Sequence, residues 1–348
     1  MKISYMLKRE DFYTINEKTL KRFFSNSTKS TTLYIYPHLN AIVRRCPSKA
    51  VKQYIYTEYA VNASLVKKLF VWGYTRLCLN TFGLFAAKKI KIPSDISSHT
   101  LIYPCNRKFR IFDFDNEIVS VITKSDFSQK SLHNEIEFRT NCKPCDFILP
   151  IEAFSDETYS ERIIDGIPLA RLDAGRENLE RQALEMWREY SKDSRTSIPA
   201  PLFAKNLEQQ IDSFSEKIKK EKPSVKTESL NRTVKYYLDI LKSSEKDIET
   251  IQSHGDLQSG NIWIENKTQQ IYIIDWESVQ QRSIWYDEAV LHESIRKDHC
   301  FDAFAKINDI RHTTVVLEEL IYRMNELCEL PFDYGTDAFN LFINKLEK

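Results

Sequence analysis

Three oxygen-bearing side chains lie close together in the second half of this 348-residue sequence. Asp256 and Asn261 stand in His254-Gly-Asp-Leu-Gln-Ser-Gly-Asn261, and Asp275 stands in Ile274-Asp-Trp-Glu277. A carboxylate in a loop can accept the proton of an attacking hydroxyl, while a carboxamide and a second carboxylate offer hard oxygens to a partly hydrated magnesium ion. Such a set suits phosphoryl transfer, in which a protein aligns the acceptor, receives its proton and neutralises phosphate charge. Two short apolar runs, Ile262-Trp-Ile264 and Ile271-Tyr-Ile-Ile274, separate the motifs, and Glu265-Asn-Lys-Thr268 between them has turn chemistry. The predicted hairpin holds Asn261 and Asp275 near one another.

The two motifs resemble the catalytic loop and metal segment of the aminoglycoside phosphotransferase and choline kinase family, and the resemblance extends over roughly residues 100 to 300. It implies an α+β, bilobal protein-kinase-like fold with a small antiparallel N-lobe sheet, one helix in that lobe, and a larger, mostly helical C-lobe. It also implies Asp256 as catalytic base, Asn261 and Asp275 as Mg2+ ligands, and ATP or GTP as co-substrate. Tyr286-Asp-Glu-Ala-Val-Leu291 is similar to the family segment after the metal site, which makes Asp287 a structural residue. Lys124, closing the run Ile118 to Thr123, stands where such kinases place the lysine that meets the nucleotide phosphates. Its partner would be Glu135, with Glu137 as the alternate; the two point about 200° apart on a helix. Glu161 to Leu169 is similar to the segment linking the lobes, so main-chain groups at Glu161 and Ile163 would meet the base. The turn Tyr103 to Lys108 lacks a glycine-rich pattern, which leaves Asn106, Arg107 and Lys108 as candidate phosphate contacts.

The elements that must position these groups fall into three stretches: a basic and apolar extension over 1–95, an N-lobe over 96–168, and a helical C-lobe over 169–348. In the N-lobe, short apolar runs predict strands at Thr100 to Tyr103, Phe109 to Phe114, Ile118 to Thr123, Phe147 to Phe154 and Tyr159 to Ile164, with a helix capped by Ser131. Longer charged periodic runs predict helices near Glu177 to Tyr190, Leu202 to Lys220 and Lys226 to Leu241.

Composition restricts the setting. With 42% hydrophobic and 28% charged residues, the chain is element-rich and globular. Seven cysteines, an odd number, and an opening without a signal-peptide pattern predict a reducing, cytoplasmic location; Cys142 and Cys145 lack a second pair for a zinc site. Nothing in the charge pattern asks for a nucleic acid. The first 60 residues hold eleven lysines and arginines, Lys2 and Lys8 among them, against four acidic residues. The apolar stretch Leu69 to Ala87 reads either as a buried helix or as one lying in a membrane interface, with flanking lysines on phosphates. The second reading predicts peripheral contact with the inner membrane surface through the basic N-terminal region, and a lipid-linked or cell-envelope saccharide as acceptor.

Two local features turn the kinase reading away from protein substrates. Gly255 replaces an arginine that grips a phosphorylated activation loop, and only ten residues separate Asp275 from Tyr286. A small molecule or the end of a glycan fits better. From Glu288 onward twelve acidic residues face seven basic ones, a balance compatible with a cationic acceptor, although most such charges sit on solvated helix faces. The other class of function is a pseudokinase serving as a nucleotide-binding or scaffold module; its usual mark, loss of the base or a metal ligand, is missing here.

Overall fold

The computed structural model describes residues 9–25, 28–60, 64–172, 174–331 and 333–346, so Lys2 and Lys8 lie outside the described residues. The chain forms two compact units, one of residues 1–136 with 149–165, the other of 137–148 with 166–348.

In chain order the first unit contains α1 (Arg9–Phe23), β1 (Thr31–Tyr36), β2 (Ala41–Arg44), α2 (Lys49–Ala60), α3 (Leu65–Asn80), β3 (Lys88–Ile92), β4 (Thr100–Pro104), β5 (Lys108–Asp113) and β6 (Ile118–Thr123). There follow α4 (Lys130–Asn141), which begins in this unit, then β7 (Ala153–Phe154) and β8 (Thr158–Arg162). The strands make one sheet in the order β3-β1-β2-β4-β5-β6-β8-β7. The expected boundary at residue 95 therefore separates nothing structural. β1, β2 and β3 belong to the same sheet as β4 to β6, because Ile42 and Val43 pair with Ile102 and Leu101 across the join. β3 itself was not expected: its Lys-Lys-Ile-Lys-Ile alternation puts Ile90 and Ile92 inward and reads as a strand only with β1 beside it. The expected strand from Phe147 to Phe154 shrinks to the two residues of β7.

The second unit contains β9 (Gly166–Pro168), α5 (Arg176–Ser191), β10 (Thr196–Pro199), α6 (Ala200–Glu221), α7 (Thr227–Lys242) and β11 (Asp247–Ser253). After them come β12 (Ile262–Glu265), β13 (Ile271–Ile273), β14 (Gln280–Ser283), α8 (Tyr286–Leu291), α9 (Asp298–Phe304), α10 (Ile310–Glu329) and α11 (Thr336–Leu346). The amphipathic faces of α6, α7, α10 and α11 enclose a core that includes Leu207, Ile211, Leu238, Leu320, Met324 and Ile343. A second core holds Trp187, Leu257, Ile262, Ile273 and Trp276 beneath the β12–β13 hairpin. The segment bearing Asp256 thus lies on packed apolar layers.

Candidate active-site groups

β11 ends at Ser253 and delivers His254, Gly255 and Asp256 to a tight loop. Gly255 sits at φ +82°, and a Cβ there would come within 2.4 Å of Ser278 O, so both backbone angle and space require glycine. Asp287 fastens the loop. Its Oδ1 accepts from Ser253 Oγ (2.8 Å) and Gly255 N (3.0 Å), and its Oδ2 from His254 N (2.8 Å) and Trp187 Nε1 (3.0 Å).

His254 is fully buried. Its Nδ1 accepts from Asp256 N (3.2 Å), which leaves Nε2 to carry the proton and donate to Ile274 O (3.2 Å). Desolvation pushes its pKa down, so the ring stays neutral and ties the loop to the end of the β12–β13 hairpin. The Trp276 ring lies 4.6 Å from it and closes the layer.

The Asp256 carboxylate is held from three sides. Gln258 Nε2 (2.6 Å) and Arg296 Nη1 (3.0 Å) donate to Oδ1, and Asn261 Nδ2 (3.0 Å) donates to Oδ2. Burial raises its pKa, Arg296 opposes that rise, and the Asp275 charge adds to it. Asn261 Nδ2 also donates to Asp256 O (2.9 Å), so both of its contacts use the amide nitrogen, and the carbonyl oxygen is directed elsewhere. Asp275 follows β13 with a left-handed backbone, φ +71° and ψ 57°, unusual for a non-glycine residue. Its carboxylate and that of Glu277 bring oxygens within 4.8 Å of each other. Carbonyl and carboxylate oxygens are the donor set that magnesium takes, so Asn261 and Asp275, with Glu277 close by, fit such an ion.

Arg296 was counted in the sequence only as one basic residue among seven. Besides Asp256 it donates through Nη2 to Gly255 O (2.8 Å) and Tyr286 Oη (3.0 Å), and through Nε to Glu319 Oε2 (2.8 Å); its guanidinium lies 3.5 Å from the Tyr322 ring centroid. Glu318 and Glu319, two of the twelve acidic residues counted from Glu288 onward, are buried. Glu319 binds Arg296, Arg323 and Tyr286, whereas Glu318 accepts from Ser283 N and Oγ, both at 2.6 Å, with burial pushing its pKa up to about 7. Beside the Gln258-Ser-Gly260 loop lies a cavity of about 530 Å³, whose charged lining comprises Arg176, Arg181, Arg296, Lys297, Glu177 and Glu180.

In the first unit the expected lysine has another setting. Lys124 is 0% exposed, donates to Cys105 O (2.5 Å), and lies 5.3 Å and 5.1 Å from the ring centroids of Phe12 and Phe109. Burial pulls its pKa down to about 8. Glu135, 1% exposed, is paired with Lys108 Nζ at 3.3 Å, while Glu137 is exposed. The reason is strand alternation. Lys108 pairs with Thr123 in the β5–β6 register and so shares the face of Val121, which packs against Leu132 and Ile136 of α4. Lys124, one residue on, falls to the other face, with Phe109. Glu161 is buried in β8, and Ile163 N donates to Glu117 O (2.8 Å), which commits one main-chain donor expected to meet a base.

Residues 166–292 match the choline/ethanolamine kinase family model. No curated protein matches the sequence. Among solved structures, the chain is similar to a Plasmodium vivax ethanolamine kinase (12% identity, 85% of this chain, 93% of that chain, TM-score 0.42). It is also similar to a choline kinase from Cryptosporidium parvum (13%, 80% and 94%, TM-score 0.42). A thermostable mutant of the aminoglycoside phosphotransferase APH(4)-Ia, in ternary complex with AMP-PNP and hygromycin B, is a third (11%, 71% and 92%, TM-score 0.48). At so low an identity and TM-score, none of the three fixes a substrate for this chain.

Proposed function

We propose that this chain, whose residues 166–292 match the choline/ethanolamine kinase family model, transfers the terminal phosphoryl group of a nucleoside triphosphate to a saccharide hydroxyl. The family match over residues 166–292 supports a small-molecule phosphotransferase with a nucleotide co-substrate. The saccharide, free or at the end of a lipid-linked or cell-envelope glycan, is the finer reading. It is supported by the open, polar cavity beside Gln258 and by the short Trp276 to Trp285 segment, which leaves little room for a docked peptide.

The observation that carries the reading is Asp256, a carboxylate gripped by Asn261, Gln258 and Arg296 in a loop that a neutral buried histidine holds to the hairpin. Asp256 takes the acceptor's proton as the new O–P bond forms and the bond to the terminal phosphorus breaks on the nucleotide side. Asn261 and Asp275 would hold Mg2+, with Glu277 near enough to add an oxygen; the ion, when bound, neutralises phosphate charge. Lys108, oriented by Glu135, takes the phosphate-binding role expected of Lys124.

Two substitutions test this. Asp256→Asn should lower transfer by at least ~10³-fold while keeping magnesium-dependent nucleotide stabilisation in a thermal shift, and Asp275→Ala should lose that stabilisation. The measurement is phosphate transfer to a panel of sugars, glycans, amines and choline. Turnover retained in Asp256→Asn would remove the proposed base.

A further inference from the structure

We infer that α3 and the turn after it form a docking surface for an anionic lipid bilayer. Thr75, Cys78 and Leu79 fasten one face of α3 into the first unit, where the latter two join a core with Val51 and Ile55 of α2. At 100° per residue, Leu65, Val66, Leu69, Phe70 and Leu77 fall on an arc of about 140° on the opposite side. All five are exposed, Leu65, Val66 and Phe70 by 70% or more.

Of the fourteen large hydrophobic side chains exposed among the described residues, nine lie between Leu65 and Phe85. Such concentration marks an interaction surface, since scattered exposed apolar residues are ordinary. No helix among the described residues is long and apolar enough to cross a membrane, so the surface would lie on a bilayer.

Charge selects the occupant. Residues 59–94 contain no aspartate or glutamate but six lysines and arginines. Lys67 and Lys68 stand in the first turn of α3, Arg76 lies 4.2 Å from the Trp72 ring centroid, and Arg45 lies 4.7 Å from that of Phe82. Aromatic rings with cations beside them suit the headgroup layer, where apolar groups reach acyl chains and the cations meet phosphates. An apolar protein groove would not select an acid-free, cation-bordered patch. This inference stands on exposure and charge in the first unit and goes beyond the catalytic reading.

The experiment is co-sedimentation of the full chain with phosphatidylcholine vesicles and with vesicles that also contain phosphatidylglycerol, at about 0.1 M and about 0.5 M salt. Binding should favour the anionic vesicles and weaken with salt. Lys67→Ala with Lys68→Ala should lower it roughly 30-fold, and Leu69→Ser with Phe70→Ser at least ~10-fold. All four side chains are exposed, and a cooperative thermal melt without nucleotide checks that each variant is folded. Because that melt involves no nucleotide, failure of the catalytic reading stays distinct from failure of this one. Absence of vesicle binding, or binding indifferent to both pairs of substitutions, overturns the inference. So does self-association without lipid that Leu69→Ser with Phe70→Ser abolishes while no vesicle is bound, which would assign the surface to a second copy.

Discussion

Replacing Arg296 separates a structural role from control of the base. Arg296→Met removes the guanidinium shared by Asp256 and Glu319, while an unbranched apolar stem still packs against Tyr322. Removing one member of a buried ion pair costs about 3–5 kcal/mol. Glu319 keeps Arg323 at 2.7 Å and Tyr286 at 2.8 Å, so the lower end applies, and ~3 kcal/mol in a unit of this size lowers Tm by roughly 6–12 °C. The catalytic effect has a different signature. Burial already holds the Asp256 carboxyl above the usual carboxylate range, and Arg296 is the strongest influence pulling it back. In its proposed role Asp256 serves as a base only when ionised, so activity should fall as pH drops through its pKa. Without Arg296 that pKa rises further, and the acid limb of kcat/KM moves to higher pH. Arg296→Lys keeps one charge but not the fork that reaches both carboxylates, so its acid limb should fall between those of the parent and Arg296→Met. The assay is a kcat/KM profile from pH ~5 to ~9 for both variants, with a thermal melt at each pH. A lower Tm with an unmoved acid limb would refute the coupling and leave Arg296 a structural residue.

The two lysines of the first unit should respond in opposite ways. Lys108→Met should weaken nucleotide binding roughly 10- to 100-fold through loss of a charged hydrogen bond, read from nucleotide-dependent thermal shifts. Lys124→Met should leave nucleotide binding intact and raise Tm at neutral pH, because a lysine pulled from 10.5 to about 8 carries a charging penalty of roughly 3 kcal/mol. The sign follows from linkage. Between pH 8 and 10.5 the unfolded chain holds a proton that the folded chain has released, so parent stability rises with pH across that window, and Lys124→Met should flatten the rise. Nucleotide stabilisation lost in Lys124→Met and kept in Lys108→Met would reverse the assignment.

These predictions also mark where the sequence was informative. The loop from His254 to Asn261 and the hairpin to Asp275 were legible because their geometry is local: eight residues, a turn and two short apolar runs determine it. The helices α5, α6 and α7 were legible from apolar periodicity, to within two residues at most ends. What escaped notice depends on pairing between distant segments. Whether Lys108 or Lys124 faces α4 is decided by a one-residue difference in the β5–β6 register, since neighbouring strand residues point to opposite faces. Arg296 and Glu319 stand 23 positions apart and meet only when α10 packs beneath α8, so a count of charges along the chain gives no sign of their pairing.

Asp287 illustrates how closely activity and folding are joined here. One carboxylate accepts from an indole, a serine and two loop amides, so the shape around the base is set when the second unit folds. An arriving acceptor need not order that loop, and its binding energy goes into alignment instead. In evolutionary terms, drift at Asp287 would be screened twice, once by the persistence of the folded chain and once by its turnover, whereas Lys108, in its proposed role, would answer more narrowly to the nucleotide.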